Sequence, residues 1–276
     1  MQVIIEGKTY QLQYDQQVPF VTPPLKVAYC DELAKTYMPI LLDPQGYGSQ
    51  PFPPEFIAYR LVVDDVKKRL CIIYEVYWKR QECTWKELNK DHDHDYEPIH
   101  LHFNLETGEM EKVVISSVGP VQYAGHGVEV YSHTTQITRR PVEGQTFSKE
   151  SFPWGQHRYE TEILEQPISN LVFRDRKPVI LVINCYHVFT GLKPWRESSY
   201  HKTEELKPTL KRLDQWLLKR WYFHHSRNKF GHDVSNPFKE PYILYYPPPE
   251  DLKSRIVYSL LWIFSVIKRR IARLEK

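Results

Sequence analysis

Residues 56–79 read FIAYRLVVDDVKKRLCIIYEVYWK, and this stretch decides the fold class. Two runs rich in β-branched, aromatic and aliphatic residues, 56–63 and 69–78, are separated by the polar segment DDVKK. Residues of these types fit the pleated, half-buried surface of a sheet, and a polar break between two such runs is typical of a turn. The stretch therefore predicts a β-hairpin.

Further strands are predicted on either side of this hairpin, because alternating or continuously apolar runs are bounded by turn residues. Two more hairpin turns are expected, one around Gly7 and one around Gly108. The apolar run PVILVINCYHVF, at residues 178–189, suits the middle of a sheet. A short helix is expected near residues 31–36. The chain is therefore predicted to be mainly β up to residue 190.

The last third of the chain changes from strand-like to helix-like patterning. Over residues 204–225, leucines and a tryptophan recur at steps of three and four, which places them on one helical face. A second periodic stretch, residues 251–276, carries an apolar stripe beside a cluster of Lys and Arg. We therefore expect a β-domain at residues 1–190 and a helical extension, packed on that domain, at residues 191–276.

The composition excludes several classes of protein. The chain has 37 Lys and Arg against 34 Asp and Glu, so no global attraction to nucleic acid is implied. No stretch reaches the ~18 apolar residues of a membrane-spanning helix, and Glu6 and Lys8 lie where the apolar core of a signal peptide would be. The four cysteines are scattered and show no CxxC pairing. We therefore expect a cytoplasmic protein with free thiols.

A dense group of metal-ligand side chains lies between residues 90 and 102, where the sequence reads KDHDHDYEPIHLH. The alternation of polar and apolar residues at 99–103 predicts a strand, so the preceding HDHDYE is expected to be a loop that leads into it. A divalent cation needs several oxygen or imidazole ligands that converge from different backbone positions, and turn residues can supply them. We therefore interpret this segment as one half of a metal site.

The residue types do not decide which metal ion binds. Mg²⁺, Ca²⁺ and Mn²⁺ prefer the oxygen ligands of Asp95 and Glu97, with an imidazole completing the set, and we favour these ions. Zn²⁺ or Fe²⁺ would instead favour the histidines. One alternative is a solvated acidic turn beside a strand on which His100 and His102 pack against aromatic residues. Another is a cupin-like metal site, whose HxHxxxE pattern is met by His100, His102 and Glu106.

Residues 91–97, DHDHDYE, also resemble the heptapeptide G-H-R-H-D-W-E of the necrosis-inducing (NLP-type) proteins and a related segment of vacuolar-sorting β-sandwich proteins. Four positions match residue for residue: His92, His94, Asp95 and Glu97. The other three depart from the heptapeptide, with Asp91 for Gly, Asp93 for Arg and Tyr96 for Trp. Two more histidines occupy segments that are similar to the family in the same order: His126 in AGHG and His187 in PVILVINCYHVF. The resemblance spans residues 36–188.

The resemblance implies both a fold and a site. The family fold is a β-sandwich whose heptapeptide loop binds a divalent cation at one end of the sheets. The expected fold class is therefore a β-sandwich of antiparallel strands, and the periodic stretches after residue 190 add a C-terminal α-helical extension that the resemblance does not cover. By the same resemblance, His92, Asp95 and Glu97 would be metal ligands, and His94 would be their neighbour.

His126 and His187 have two interpretations. Each lies on or beside a predicted strand, where a lone histidine is more often a hydrogen-bonded core residue than a ligand. The resemblance implies instead that they bind the metal or orient its carboxylate ligands. We include both among the candidate metal residues.

Three functions of different classes are compatible with these patterns. We favour a divalent-metal-binding protein that recognises a polar head group, a glycan or another small ligand through its cation. The second interpretation is a metal-dependent hydrolase or a cupin-like oxidoreductase, so whether the chain is an enzyme stays open. The third is a peripheral membrane or partner-binding protein, in which the stripe at residues 251–276 meets lipid head groups, its own domain or a second copy of the chain.

Overall fold

The computed structural model describes residues 1–15, 24–44, 53–81, 92–118, 126–132, 163–183, 188–191, 203–214 and 237–238. Over these residues the protein is mainly β, with largely antiparallel sheets and one short α-helix. The helix α1 spans Asp31–Tyr37, and a single 3₁₀ turn spans Ile168–Asn170. The strands are β1 Gln2–Ile5, β2 Lys8–Gln11, β3 Gln13–Asp15, β4 Lys26–Tyr29, β5 Ile40–Pro44, β6 Phe56–Asp64, β7 Arg69–Gln81, β8 His92–Asn104, β9 Met110–Val118, β10 His126–Ser132, β11 Ile163–Pro167, β12 Phe173–Arg174, β13 Lys177–Ile183, β14 Val188–Gly191, β15 Thr203–Leu206 and β16 Thr209–Arg212.

Within the described part of the chain, these strands form three sheets. The large sheet has nine strands, eight of them in the order β11-β10-β9-β8-β7-β6-β4-β3, and β16 also pairs with β6. A second sheet has five strands, in which β13 pairs with β12, β14 and β5, and β5 pairs with β15. The strands β1 and β2 form a separate hairpin. Three of the pairs are parallel, namely β10 with β11, β5 with β13 and β6 with β16.

The three predicted hairpins are confirmed. β6 and β7 pair without interruption from Phe56 opposite Tyr77 to Asp64 opposite Arg69. β1 pairs with β2, and β8 pairs with β9, each antiparallel. The short helix expected near residues 31–36 is confirmed as α1, which buries Leu33, Ala34 and Tyr37. Local turn chemistry and side-chain alternation are therefore sufficient to predict these elements.

Successive side chains of β6 and β7 point to opposite faces of the large sheet. The first face carries Ile57, Tyr59 and Leu61, which belong to a main core cluster together with residues of α1 and of the five-stranded sheet. The second face carries a smaller apolar cluster of Phe56, Ala58, Val62, Cys71, Ile73, Tyr77 and Leu213. Both faces of the central hairpin are therefore buried, and any polar group on the second face lies in an apolar interior.

The helix predicted over residues 204–225 is wrong at its start, where β15 and β16 pair with β5 and β6 instead. Pro208 separates the two strands, and Leu206 and Leu210 pack against the main core cluster. Pairing with two existing sheets outweighs a local helical periodicity, because most helical stability also comes from tertiary packing. The remainder of that segment and the predicted helix at residues 251–276 lie outside the described residues.

Three expectations concern the chain as a whole. Among the helical segments that the structure describes, none has the length and apolar content needed to cross a bilayer. The division of the chain at residue 190 stays a prediction, and so does the cytoplasmic location.

Candidate metal centre

The pairing of β7 with β8 brings three metal-ligand side chains together. Cys71 lies directly opposite His102, and Ile73 lies directly opposite His100. Directly opposed residues point to the same face of a sheet, and so do residues two apart on one strand. Cys71, His100 and His102 therefore share the second face of the large sheet.

The ligand atoms of these residues, termed the Cys-His-His triad, all lie within 4.8 Å of one another. The Sγ of Cys71 is 3.7 Å from the Nε2 of His102. In a tetrahedral zinc site, bonds of about 2.3 Å to sulfur and about 2.05 Å to nitrogen separate those two atoms by about 3.5 Å. The triad is therefore close to the spacing that a metal ion requires. Within the described residues the group has these three members.

Burial sets the protonation of the triad. Cys71 is fully buried, and His100 and His102 are 3% and 8% exposed. Burial, helped by the positive charge of Lys112, lowers the pKa of His100 to about 3 and holds the pKa of His102 well below its usual range. Burial also raises the pKa of the Cys71 thiol. At neutral pH the imidazoles are therefore uncharged and offer a lone pair to a metal, whereas the thiol must release its proton when a metal binds.

Aromatic and charged side chains lie around the triad. The ring of Phe238 meets the ring of His102 edge-on, with centroids 5.6 Å apart. The guanidinium of Arg69 lies over the Phe238 ring, 4.4 Å from its centroid, and its Nη2 forms a 2.7 Å ion pair with Asp64. Lys112 lies directly opposite His102 on β9. Because a nearby cation favours an anion, Lys112 favours the thiolate form of Cys71 that a metal needs, against the effect of burial.

Glu97, one of the predicted ligands, lies on the other face of the large sheet. It is directly opposite Val76, a member of the main core cluster on the first face, and it is 2% exposed. The backbone of β8 therefore separates the Glu97 carboxylate from the triad. Whether Glu97 binds a cation on the first face stays a prediction.

For the other predicted ligands, the structure describes either the backbone alone or nothing of the residue. His92, His94 and Asp95 belong to β8, so this segment is a strand rather than the loop expected from the sequence. The reason is that pairing with β7 continues along it. The side chains of these residues and of His126, the first residue of β10, are outside the described residues, as is all of His187. Their role as ligands stays a prediction.

Cys71 is the member of the triad that sequence reasoning misses. The cupin-like pattern singles out His100 and His102, but its third residue, Glu106, is exposed in the turn after β8. The third ligand atom comes instead from β7. A signal exists, since a cysteine interrupts an apolar strand, but its partner His102 is 31 residues away and is selected by strand register.

Comparison of the chain with protein-family models, with curated proteins and with solved structures finds no match. This result does not test the resemblance of residues 91–97 to the necrosis-inducing proteins, which stays a prediction. The geometry of the triad is therefore the basis for assigning a function.

Proposed function

We propose that the protein binds one divalent transition-metal ion, preferably Zn²⁺, through the Sγ of Cys71 and the imidazoles of His100 and His102. The observation that carries the proposal is the convergence of three ligand atoms, all within 4.8 Å of one another, on two paired strands. Strand backbones hold the three side chains in place before the ion arrives, so little ordering is needed on binding. We place the site on the outer face of one sheet of a β-sandwich, because the large and the five-stranded sheets contribute to one core cluster.

The ligand types favour a soft or borderline ion. Thiolate and imidazole suit Zn²⁺, copper and iron, whereas Mg²⁺, Ca²⁺ and Mn²⁺ prefer carboxylate and carbonyl oxygens. The triad therefore gives no support to the preference for Mg²⁺, Ca²⁺ or Mn²⁺, which came from the oxygen ligands of Asp95 and Glu97.

Three protein ligands leave one position of a tetrahedral ion open. Structural zinc sites generally have four protein ligands, whereas catalytic sites have three and hold water or substrate in the fourth position. Within the described residues the triad has no fourth member. The proposed function is therefore the recognition of a small polar ligand, one atom of which occupies the open position on the ion.

A metal-dependent hydrolase is the second candidate, and the same open position favours it. Zn²⁺ lowers the pKa of a bound water to about 7, which supplies a nucleophile at neutral pH. Turnover of a substrate by the zinc-loaded protein, and its loss when Cys71 is replaced, would distinguish hydrolysis from binding alone.

Cobalt substitution tests the metal site. Co²⁺ occupies zinc sites, and its bond to a thiolate produces a charge-transfer absorption band. We expect one equivalent of Co²⁺ to produce this band in the wild-type protein and expect Cys71→Ser to abolish it, because the thiolate is lost.

Cys30→Ser is the matched control. Cys30 is also a buried free cysteine, but it belongs to the main core cluster rather than to the second face. The band should therefore survive in this variant. A band that persists in Cys71→Ser, or disappears in Cys30→Ser, would show that the triad is not the binding site.

A further inference from the structure

Arg60 is a buried cation on the second face of the large sheet. It lies in β6 between Ala58 and Val62, two members of the second-face cluster, and none of its surface is exposed. Its Nε, Nη1 and Nη2 atoms form no hydrogen bond with any residue that the structure describes. A guanidinium has five N–H donors, and burying it without acceptors is costly, so a buried arginine normally contacts an anion.

Arg60 keeps its charge in this environment. Burial lowers its pKa to about 10, against the opposing effects of Tyr29, Asp15 and Glu75, so the side chain is a cation at neutral pH. Glu75 is itself buried, yet no nitrogen of Arg60 is within hydrogen-bond geometry of its carboxylate. The donors of the guanidinium therefore have no acceptor among the residues that the structure describes.

Arg60 lies in the same cross-strand row as one member of the triad. It is directly opposite Ile73, which is directly opposite His100. Neighbouring strands are about 4.8 Å apart, so the backbones of Arg60 and His100 are separated by roughly 10 Å on one face. Both side chains extend from that face, and the buried side chain of Ile73 lies between them, so a ligand that contacts both must lie over Ile73.

The charges on this face favour an anion. Arg60 and Lys112 are cationic, Asp15 and Glu75 are the carboxylates whose charges act on Arg60, and Asp64 is paired with Arg69. A dication bound by one thiolate adds further positive charge. An anionic ligand would therefore bring the buried face closer to neutrality.

We propose that the ligand of the bound metal is a small oxyanion, a carboxylate or a phosphate, held by the guanidinium of Arg60 while one of its oxygens occupies the open position on the ion. The inference rests on the proposed metal-binding function. The planar fork of a guanidinium matches both kinds of oxyanion through paired N–H···O bonds. Because Arg60 is fully buried, the ligand is a small molecule rather than a nucleic acid or a membrane surface.

The test uses the full-length chain loaded with Co²⁺, with inorganic phosphate and acetate as separate probes at constant ionic strength. We expect one of these anions to change the visible absorption of the bound Co²⁺ in a saturable way, and the tighter of the two identifies the class of oxyanion. Arg60→Met should keep the cobalt-thiolate band but weaken binding of that anion about 30-fold, because charge-assisted hydrogen bonds are lost. Arg60→Lys keeps the positive charge but lacks the paired N–H donors of the planar guanidinium. This variant should weaken anion binding less than Arg60→Met does.

The two proposals fail in different ways. If the thiolate band forms but neither anion changes the spectrum, the oxyanion inference is wrong and the metal site stands. The same holds if Arg60→Met binds the anion as tightly as the wild-type protein. If no thiolate band forms in the wild-type protein, both proposals are wrong. Should Arg60→Met fail to fold, the wild-type titration and Arg60→Lys decide the question.

Discussion

Gly108 shows how much one residue can constrain the fold. Its φ is +75°, in the left-handed region, and a Cβ at this position would lie 2.8 Å from the carbonyl oxygen of Ile4. The peptide nitrogen of Glu6 donates a 2.9 Å hydrogen bond to the Gly108 carbonyl, so the hairpin of β1 and β2 lies directly against this turn. We expect Gly108→Ala to lower the free energy of unfolding by about 2 to 4 kcal/mol, because backbone strain and a steric clash add.

Gly7→Ala is the matched control for Gly108→Ala. Gly7 has nearly the same φ, +76°, but an added Cβ would meet nothing within 4 Å. The loss should therefore be the backbone penalty alone, about 1 to 2 kcal/mol. Urea unfolding of both variants measures the difference. Equal losses would mean that the hairpin is free to move away from Gly108.

The triad separates what residue-level patterns predict from what they do not. His100 and His102 are two residues apart in an alternating run, so their common face follows from the period of a strand. The position of Cys71 opposite His102 depends on the register of two strands, and a shift of one residue would turn the cysteine to the other face. The histidine half of the site is therefore predictable from the sequence, and the cysteine is not.

At the scale of elements, a similar division separates hairpins from distant pairs. Turns that contain Gly7 and Gly108 hold glycine at positive φ between alternating runs, so local chemistry fixes these hairpins. The strands β15 and β16 pair with β5 and β6, which lie far earlier in the chain. Nothing in a local pattern specifies such partners, and the spacing of Leu206, Leu210 and Leu213 matches a helix equally well.

An ion pair between Arg212 and Asp31 connects β16 with α1. The Nε and Nη2 of Arg212 donate to Oδ1 and Oδ2 of Asp31, each at 2.9 Å, and the Tyr59 hydroxyl donates to Oδ1. Hydrogen bonds from Arg212 and then from Tyr59 lower the pKa of Asp31 below its usual value. A carboxylate of this kind contributes stability that is present above its unfolded pKa and is lost as the pH falls through its folded pKa.

We expect Asp31→Asn to lower the free energy of unfolding at neutral pH by about 0.5 to 1 kcal/mol. The value is small because the Asp31 side chain is 52% exposed and solvent screens the pair. The difference between the variant and the wild-type protein should shrink as the pH falls below about 4, where the wild-type carboxyl also becomes protonated. Denaturant unfolding at a series of pH values measures it. A difference that stays constant down to about pH 3 would rule out this role for Asp31.

Glu32→Gln is the control for the position of Asp31 on the helix. Glu32 also lies in the first turn of α1, where a negative charge interacts favourably with the helix dipole, but its partner is Lys8 at 2.8 Å rather than the forked guanidinium of Arg212. Both side chains of that second pair are largely exposed. Its loss should therefore cost less than the loss of Asp31.

At the scale of the whole molecule, the two faces of the large sheet differ in content. The first face is largely apolar where it meets the core cluster shared with the five-stranded sheet, and Glu97 is its buried carboxylate among the described residues. The second face combines a small apolar cluster with the triad, Arg60 and Glu75, all buried. Burying charged groups lowers stability unless they are well compensated, so a face required only for packing would not need them. The polar content of the second face therefore supports a binding role, and it also explains why hydrophobic patterning alone leaves that role unpredicted.

A metal bound to the second face should stabilise the entire fold, because the triad exists as a group only when β7 and β8 are paired. An ion that binds the native protein and not the unfolded chain adds about 2.7 kcal/mol at a concentration 100 times its Kd. For a chain of this size, such a gain corresponds to a rise in Tm of roughly 5 to 10 °C. Calorimetry should show this rise when Zn²⁺ is added to the wild-type protein or to Cys30→Ser, a chelator should reverse it, and Cys71→Ser should not show it. An equal rise in Cys71→Ser would place the stabilising ion at another site.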